Sequence, residues 1–305
     1  MITVFGRNYN IWSNEYSALF NGTTSYVILN DFNTGQGNPF AIVPIAGSAS
    51  KWLVSMWVKM DNTTAFDGVV NLWTQGFLGN ANSNTFRMSY IPNNSGGNPA
   101  NRIFIDYRNN GTTNRVMRQW ALQNNSSVTG ATSISDLWVS GNTSINTNAN
   151  GFVHLCVIVN LPSHPGALTS AATANIKCFW NGSELTTTAN SVNLGETFTT
   201  DVTDSSDLLG ASIFDSPPSV QFEGKIDELA GMPTSEFASF RTAKSLTTDA
   251  QVATYLWNSG VPGDINSGAW GDFWWEFEQS WASSGGTTLN TLVPVSGSTF
   301  STDHA

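Results

Sequence analysis

Residues 222–260 read FEGKIDELAGMPTSEFASFRTAKSLTTDAQVATYLWNSG and carry the clearest local signals of the chain. The first part predicts a short apolar strand that glycines interrupt at Gly224 and Gly231. The apolar positions of this strand are Phe222, Ile226, Leu229 and Met232. Its solvent-facing positions are predicted to be the acidic residues Glu223, Asp227 and Glu228.

A helix over about residues 247–258 is predicted after a loop. Thr248 and Gln251 fit a capping box, and Asp249 lies in the first turn, where the helix dipole favours a negative charge. The apolar stripe of this helix is formed by Val252, Tyr255 and Leu256, and Gly260 is predicted to end it. The rest of the chain is typical of strands and polar turns, which predicts an all-β protein with one short helix.

The order of several segments resembles a known family. FEGKIDELAGM, the helix ending YLWNSGVPGDI and the following FWWEFEQSW resemble the last third of laminin-G-like, concanavalin A-like domains. YSALFNGTTSYVIL and KWLVSMWVKM resemble the family's opening strand pair and next long strand, and GFVHLCVIVNL with IKCFWNGSEL resembles its back hairpin. The ending LWNSG is most similar to versions from tailed bacteriophages. The resemblance covers about residues 16–281 and implies a jelly-roll β-sandwich of two antiparallel sheets.

This resemblance implies one sandwich domain over residues 16–282. Residues 1–15 are then an N-terminal arm, and residues 283–305 are an extended C-terminal tail in which Leu292 to Val295 could add a strand. Residues 109–150 are the least predictable part and form a candidate insertion. Residues 273–281 alternate like a strand, which the resemblance returns to the sandwich near the first strand.

Two strand predictions come from the residues themselves. Asn21-Gly22 separates two apolar runs and predicts a hairpin. The segment from Trp52 to Met60 alternates, so one side belongs to the core and the other to a mixed outer face. The core positions are Trp52, Val54, Met56, Val58 and Met60, and the outer positions are Leu53, Ser55, Trp57 and Lys59.

Composition limits the classes of partner. The 305 residues carry a formal net charge of −10, which argues against nucleic acid and anionic membranes as partners. A local exception is a group of arginines that is either a docking patch for an acidic partner surface or a set of scattered, solvated charges. These arginines are Arg87, Arg102, Arg108, Arg115 and Arg118. The sequence begins without a charged region followed by an apolar run, so no signal peptide is predicted.

Cysteine and histidine usage offers little metal or redox chemistry. Cys156 and Cys178 lie on strands that the resemblance pairs, so a disulfide and buried free thiols are both open, and a reducing cytoplasm favours free thiols. His154 lies in an apolar strand, which is typical of a satisfied interior histidine. The three histidines and two cysteines are too dispersed for a zinc site.

Catalysis is predicted to be absent. Laminarinase-like glycosidases share the resembling fold and use paired carboxylates. Glu223 and Asp227 have the wrong spacing for such a pair, and Glu276 and Glu278 share a strand face without the third acid of the motif. Neither a nucleophile elbow nor a phosphate-binding loop occurs, so no cofactor is predicted. Calcium is the remaining ion to consider, with loop acids at Asp31, Asp67, Asp201, Asp204, Asp207 and Asp215.

A sugar site needs an exposed aromatic plane beside amide and carboxylate groups. Three tryptophans near Asn-rich loops are the candidate glycan contacts: Trp73, Trp120 and Trp138. A chain with 12 tryptophans also exposes some of them without any sugar.

The functional prediction is a non-enzymatic virion structural protein of a tailed bacteriophage, for capsid decoration or a head or tail appendage. It would assemble in the host cytoplasm as a homo-oligomer and contact other virion proteins. The alternative is a carbohydrate-binding module or adhesin for host-surface glycans, and a glycoside hydrolase is third.

Overall fold

Two antiparallel β-sheets packed face to face form the protein, which confirms the predicted all-β sandwich. The structure is a computed structural model. It describes residues 17–24, 26–28, 50–61, 70–76, 85–91, 102–109, 114–121, 147–161, 176–185, 187–192, 206–212, 219–220, 222–232, 234–260, 262–263, 265, 274–275, 293–295 and 299–302.

The described strands and helices follow one another along the chain with two helices near the end. In chain order they are β1 (Ser17–Asn21), β2 (Tyr26–Ile28), β3 (Ser50–Met60), β4 (Val70–Gly76), β5 (Thr85–Ile91), β6 (Arg102–Asn109), β7 (Asn114–Ala121), β8 (Val153–Leu161), β9 (Ile176–Trp180), β10 (Ser183–Glu184), β11 (Thr187–Val192), β12 (Ser206–Leu209), β13 (Ala211–Ser212), β14 (Ser219–Val220), β15 (Glu223–Met232), α1 (Thr234–Ala243), α2 (Asp249–Trp257), β16 (Trp274–Trp275), β17 (Val293–Val295) and β18 (Thr299–Ser301). Neither described helix is long and apolar enough to cross a bilayer.

We call the two large sheets the helix-side sheet and the far sheet. The helix-side sheet has the strand order β10-β9-β8-β3-β15-β1-β18, with β16 also paired to β15. The far sheet has the order β11-β7-β6-β5-β4-β12-β2-β17. Strands β13 and β14 form a separate two-stranded ladder.

The long strand β3 lies in the middle of the helix-side sheet and separates two apolar layers. Its five predicted core residues, from Trp52 to Met60, all belong to the cluster between the two sheets, as predicted. The opposite side differs from the prediction of a mixed outer face. Leu53, Ser55 and Trp57 are each at most 2% exposed. Both faces of β3 are therefore buried, because the helices cover the side that would otherwise face water.

The helix α1 was not predicted and accounts for this second layer. Its Phe237 and Phe240, three residues apart, lie on one face and are buried. They pack with Leu53, Cys156 and the α2 stripe in a cluster outside the helix-side sheet. Sequence reasoning assigned this segment to a loop because its other residues are mostly Ser, Thr and Ala, which give a weak periodic signal.

Helix α2 confirms the predicted helix and its N-terminal capping box. The Thr248 side chain accepts a hydrogen bond from the Gln251 backbone N–H at 3.2 Å, and the Gln251 side chain accepts one from the Thr248 N–H at 3.0 Å. The α-helix ends at Trp257, three residues before the predicted end, because Asn258 adopts a left-handed conformation with φ of 40°. A 3-10 turn over Asn258–Gly260 then continues to the predicted end at Gly260.

A charged group at the edge of the helical layer joins three elements. Lys51 of β3 contacts Asp249 of α2 at 2.6 Å, and Arg241 of α1 contacts the same carboxylate oxygen at 3.4 Å. The side chains of Lys51 and Arg241 also lie over the ring of Phe237. One carboxylate therefore holds both helices against the sheet.

The strand β15 is continuous through Gly224 and Gly231, in contrast to the predicted interruption. A β-carbon at Gly224 would lie 2.2 Å from the Lys59 carbonyl oxygen of β3, so glycine is required there for the two strands to approach. The acids Asp227 and Glu228 are buried, 0% and 3% exposed, and the prediction that they face water is wrong. They lie at a bulge where the register of β15 against β3 shifts between Asp227 and Ala230.

The first two strands do not form the predicted hairpin. β1 pairs with β15 and β18 in the helix-side sheet, whereas β2 pairs with β12 and β17 in the far sheet. The Asn21-Gly22 turn therefore passes from one sheet to the other. The Asn21 side-chain oxygen accepts hydrogen bonds from the N–H groups of Thr23 and Thr24, which stabilise this corner.

The pairing of β8 with β9 confirms the back hairpin that the resemblance implies. β4, β5 and β6 form an antiparallel meander. Asn181 and Gly182 have φ of 49° and 75° and connect β9 to β10 in a tight turn. β7 pairs with β6, so residues 114–121 of the candidate insertion belong to the sandwich. Residues 122–146, which complete most of that segment, lie outside the described residues.

The two termini differ in what is described. The arm at residues 1–15 lies outside the described residues. Within the predicted C-terminal tail, β17 pairs with β2 and β18 pairs with β1. The tail therefore supplies a strand to each sheet, and the sandwich extends at least to Ser301. Residues 274–275 pair with β15, and the remainder of the predicted strand at 273–281 is not described.

The two cysteines are free and buried, as the reducing-compartment argument favoured. Although β8 and β9 are neighbours, Cys156 lies in the cluster beneath the helices and Cys178 lies in the cluster between the sheets. Thiols on opposite faces of a sheet cannot form a disulfide without a change in the backbone. Burial raises the pKa of the Cys156 thiol, and the charge of Asp249 raises it further.

We predict that neither thiol of the native protein reacts with a disulfide reagent such as DTNB, because the thiolate is the reactive form. In concentrated guanidinium chloride without reductant, both should react. The Cys178→Ala variant, as a control, should release one equivalent when unfolded. Absence of reaction in the denatured wild-type chain would show a disulfide and contradict this arrangement.

Candidate functional site

The three tryptophans predicted to contact glycans are not exposed platforms where they are described. Trp73 and Trp120 are each 1% exposed and belong to the cluster between the sheets. A sugar stacks on an open ring face, and burial leaves none at these two positions. The alternation of side chains along their strands places these two rings in the core, and nearness to Asn-rich loops does not indicate on which side of a strand a ring lies. Trp138 lies outside the described residues, so its glycan contact stays a prediction.

The candidate carboxylates do not form an open pair where they are described. Asp227 accepts a hydrogen bond from the backbone N–H of Glu228 at 2.9 Å, and both residues are buried in the bulge of β15. Glu223 lies on the same strand and is half-buried. Glu276 and Glu278 lie outside the described residues, so the prediction of a non-enzymatic protein rests on the sequence there.

The calcium prediction is largely untested by the described part of the chain. Within it, no three His, Cys, Asp or Glu side chains come together. Asp207 lies in β12, and the remaining five loop acids lie outside the described residues. They are Asp31, Asp67, Asp201, Asp204 and Asp215.

His154 lies in a polar pocket inside the helical layer. Its Nε2 lies 2.7 Å from the Ser55 hydroxyl oxygen, and its ring centroid lies 5.3 Å from that of Trp57. Its backbone N–H donates to the Asn181 side-chain oxygen at 2.8 Å. Its Nδ1 is buried without a hydrogen-bond partner. The prediction of a fully satisfied interior histidine therefore holds for one ring nitrogen and fails for the other.

The C-terminal end of α2 lies close to this pocket. A β-carbon at Gly182 would lie 2.9 Å from a ring carbon of Trp257, so the Asn181-Gly182 turn fits closely against the helix. Trp257 also packs with Trp57 and Phe152. Ser55 and His154 are 2% and 0% exposed, so a substrate cannot reach this pair in the described conformation. The pair is a structural contact rather than a nucleophile with its base.

The outward side of β4, β5 and β6 in the far sheet is polar, and we call it the polar face. It is defined by four described side chains: Asn71, Arg87, Ser89 and Phe104. The Ser89 hydroxyl donates to the Asn71 side-chain oxygen at 3.0 Å. The inward side of the same strands carries Met88, Tyr90, Ile103 and Ile105 and packs in the core. The alternation of these strands therefore separates the apolar core between the sheets from a polar layer on the opposite side of the far sheet, where Asn71 and Ser89 are also buried.

Arg87 is the described residue of this face that is not fully buried. Its guanidinium carbon lies 4.8 Å from the centroid of the Phe104 ring. Asn71, Ser89 and Phe104 are at most 3% exposed, whereas Arg87 is half-buried. Stacking on an aromatic ring restricts the orientation of a guanidinium group. The buried residues thus form a floor on which Arg87 is held.

Register places more of the predicted arginine group on the same face. Arg87 and Ser89 of β5 are the partners of Asp106 and Phe104 of β6, so alternate residues along these strands share one face. Arg102 and Arg108 of β6 and Arg115 of β7 occupy positions on this face, whereas Arg118 occupies the alternate position. Sequence reasoning identified the group but not its arrangement, because that depends on the register.

Charge is unevenly distributed between this region and the rest of the chain. Residues 85–121 contain five arginines and a single acidic residue, Asp106, a formal charge of +4. The remaining residues carry a formal charge of −14, which together with +4 gives the net charge of −10. The region of β5 to β7 is therefore electropositive in an otherwise acidic protein.

Comparison with known proteins gives similarity of architecture at low identity. No protein-family model matches the chain. No curated protein matches it either. Among solved structures, a CBM40 module of the Ruminococcus gnavus IT-sialidase, bound to α2,3 sialyllactose, has a TM-score of 0.39 and 12% identity, covering 72% of this chain and 92% of the module.

Two further solved structures have TM-scores on either side of this value. A candidate carbohydrate binding protein from Bacteroides ovatus has a TM-score of 0.43 and 12% identity over 95% of this chain and 61% of that protein. The receptor binding domain of botulinum neurotoxin type G has a TM-score of 0.33 and 10% identity over 70% of this chain and 41% of that domain. These values are too low to assign a family or a ligand to this chain, and the concanavalin A-like family stays a prediction.

The buried imidazole predicts a pH-dependent stability. Burial lowers the pKa of His154 to about 3 from an ordinary value of 6.5. Below pH 6.5 the His154 imidazole binds a proton in the unfolded chain, whereas in the folded chain it stays neutral down to about pH 3. This contribution to stability is therefore complete above pH 6.5 and decreases as the pH falls towards 3. Between pH 7 and pH 5 the wild type should lose about 2 kcal/mol more unfolding free energy than His154→Gln.

Denaturant titrations at several pH values would measure this difference. His164→Gln and His304→Gln are controls that should keep the wild-type slope. If His154→Gln does not fold, the His154 ring resonance in the wild type gives the answer directly, since it should not titrate between pH 7 and pH 5. A wild-type slope in His154→Gln, or titration near pH 6.5, would contradict the prediction.

Proposed function

We propose that this protein is a non-catalytic glycan-recognition domain, and that the polar face of the far sheet is its binding surface. The observation that supports the proposal is the stack of Arg87 on Phe104 beside the Asn71–Ser89 hydrogen bond. Glycan binding is the alternative function that the sequence offered. The half-buried Arg87 of this face replaces the tryptophans as the candidate contact, because two of those three rings are buried.

The arrangement suits a polar ligand for two reasons. A guanidinium group has five N–H donors in a fixed plane, so it can bind two oxygens of a sugar at once. Stacking on Phe104 lowers the entropy that Arg87 loses when it binds. The floor contributes by its rigidity, since Asn71 and Ser89 are buried and hydrogen-bonded to one another across β4 and β5.

Recognition rather than hydrolysis is proposed because the described acids are unsuited to catalysis. A glycosidase places two carboxylates on either side of the scissile bond. Asp227 and Glu228 are buried in the opposite sheet from the polar face. The partner of Arg87 across β5 and β6 is Asp106, a single acid on that face within residues 85–121.

A glycan array followed by calorimetric titration tests this function. We expect a glycan ligand whose affinity falls about tenfold or more in Arg87→Gln, because a charge-assisted hydrogen bond is lost. Arg87→Lys should restore little, since lysine keeps the charge but not the planar fork. Lys177→Gln is the matched control, because Lys177 lies on the other sheet in an exposed ion pair with Glu184. Absence of binding to every glycan would overturn the proposal.

A structural role in a bacteriophage virion is the second candidate. The described feature that favours self-association is β18, which ends the order of the helix-side sheet and exposes Thr299. The backbone groups at such an edge can pair with a strand of a second copy. Contacts with other virion proteins and localisation in a virion remain predictions from the resemblance.

Light scattering of the full chain and of a chain lacking residues 1–14 measures the assembly. If the arm joins neighbouring subunits, the full chain should have the mass of a homo-oligomer, and the shortened chain should have the mass of a monomer. Circular dichroism serves as the control that the shortened chain is folded. A full chain that is monomeric at all concentrations would contradict the structural role.

A further inference from the structure

We propose that Trp257, the last residue of α2, is the centre of a second sugar-binding surface that takes a neutral oligosaccharide. We call it the Trp257 surface and define it by Trp257, Asn258, Ser259 and Asn150. It lies at the edge of the helical layer, whereas the polar face lies outside the far sheet, on the other side of the sandwich. This second site rests on the proposed glycan recognition and adds a separate place for it.

The ring of Trp257 is held in place and is partly accessible. It packs with Trp57 and Phe152, which are 1% and 0% exposed, whereas Trp257 itself is half-buried. A β-carbon at Gly182 would lie 2.9 Å from a ring carbon of Trp257, so the backbone at Gly182 restricts the ring at one edge. A sugar stacks on an aromatic plane, and a plane that is already fixed loses little entropy when it binds.

The two residues after Trp257 carry exposed polar side chains that are available to a ligand. Asn258 and Ser259 are both exposed. The Asn258 backbone N–H donates to the Thr254 carbonyl oxygen, which caps the helix. Within the described part of the chain, neither the Asn258 amide nor the Ser259 hydroxyl has a hydrogen-bond partner. Side-chain amides and hydroxyls both donate and accept hydrogen bonds, so they can bind the hydroxyl groups of a sugar.

The backbone at these two positions favours glycine, which the sequence does not use. Asn258 has φ of 40°, and Ser259 has φ of 60° and ψ of 33°, so both are left-handed. Glycine adopts this conformation at no steric cost, whereas a serine is uncommon there. Residues held in such conformations cluster at ligand-binding sites. The two polar side chains are therefore present against the local preference of the backbone, as a binding surface would require.

A neighbouring turn adds a further amide group to this surface. The Asn148 side-chain N–H donates to the Gly260 carbonyl oxygen at 3.3 Å, and its oxygen accepts from the backbone N–H of Asn150 at 3.0 Å. Asn150 is exposed, and its carbonyl oxygen accepts from Lys59 at 3.0 Å. Lys59 also lies over the ring of Phe152. The turn and the end of α2 thus form one surface, and its neutral amide and hydroxyl groups suit a neutral sugar.

The experiment uses the full chain with neutral oligosaccharides as probes. Cellohexaose, maltohexaose and mannohexaose are titrated by calorimetry, together with every glycan that binds on the array. We expect a neutral oligosaccharide to bind with an affinity that changes little between low and high salt, because no ion pair is formed. A strongly salt-dependent affinity would show an anionic ligand and overturn the inference.

The first variant removes the stacking plane. Trp257→Ala should weaken the neutral oligosaccharide about tenfold or more, because buried aromatic contacts dominate the energy of such sites. Tyr255→Ala is the matched control. It removes another half-buried ring of α2, one that packs against Phe240, and it should leave the affinity unchanged.

The second variant avoids any loss of packing. Asn258→Gly combined with Ser259→Gly removes the two polar side chains and keeps the left-handed backbone that glycine prefers. This variant should unfold at the same temperature as the wild type or higher, yet it should bind the neutral oligosaccharide several-fold more weakly because hydrogen bonds are lost. It therefore gives an answer even if Trp257→Ala does not fold.

The outcomes separate this inference from the function beneath it. A neutral oligosaccharide that is weakened by the Trp257 and Asn258–Ser259 variants, and not by Arg87→Gln, supports the inference. If glycans bind and none is weakened by these variants, glycan recognition stands and the Trp257 surface is wrong. If no glycan on the array and none of the three hexasaccharides binds, the proposed function itself is wrong, and this surface with it.

Discussion

A β-bulge in strand β15 allows this strand to pack side chains against both the core between the sheets and the helices. Glu228 adopts a left-handed conformation with φ of 47° at the bulge of β15. On one side of the bulge Ile226 points into the core between the sheets, and beyond it Leu229 does the same. The three-residue separation is incompatible with simple alternation, so an added residue is required. Ala230 and Met232 then face the helices.

The bulge also changes the neighbours of β15. Before it, β15 pairs with β1, and after it, β15 pairs with β16. The buried Asp227 side chain accepts the Glu228 N–H, which the bulge removes from the ladder. Placing two acids in the interior is costly unless they are hydrogen-bonded. The burial of Asp227 follows from the bulge backbone that its side chain stabilises, and Glu228 is buried at the same bulge.

Sequence reasoning succeeded where periodicity or capping chemistry decides the structure. The alternation of β3 and the capping box of α2 are local patterns, and both are found as predicted. It failed where the answer depends on what a segment packs against. Leu19-Phe20 and Tyr26 have the pattern of a hairpin, yet they join different sheets because β15 and β12 are their partners. The burial of Leu53 depends on α1, whose weak pattern concealed it, and the burial of Trp57 depends on Trp257 at the end of α2.

The candidate site, like the fold, could be predicted from the sequence only in part. Composition drew attention to the five arginines, but the face on which each lies is a property of strand register. The aromatic residues were misleading because tryptophan contributes both to cores and to sugar sites, and Trp73 and Trp120 belong to the core. Phe104 attracted no attention in the sequence. Its role is visible only from the guanidinium of Arg87 above it.

The order of the strands has a consequence for the way the chain folds. β1 is made first, yet its two partners are β15 and β18, and β2 likewise pairs with β12 and β17. The first two strands therefore cannot pair in either sheet until partners about 180 or more residues further along the chain have been synthesised. Long-range pairing of this kind slows folding and leaves strand edges uncovered during synthesis. Neither sheet of the growing polypeptide is complete on the ribosome until β17 and β18 have emerged.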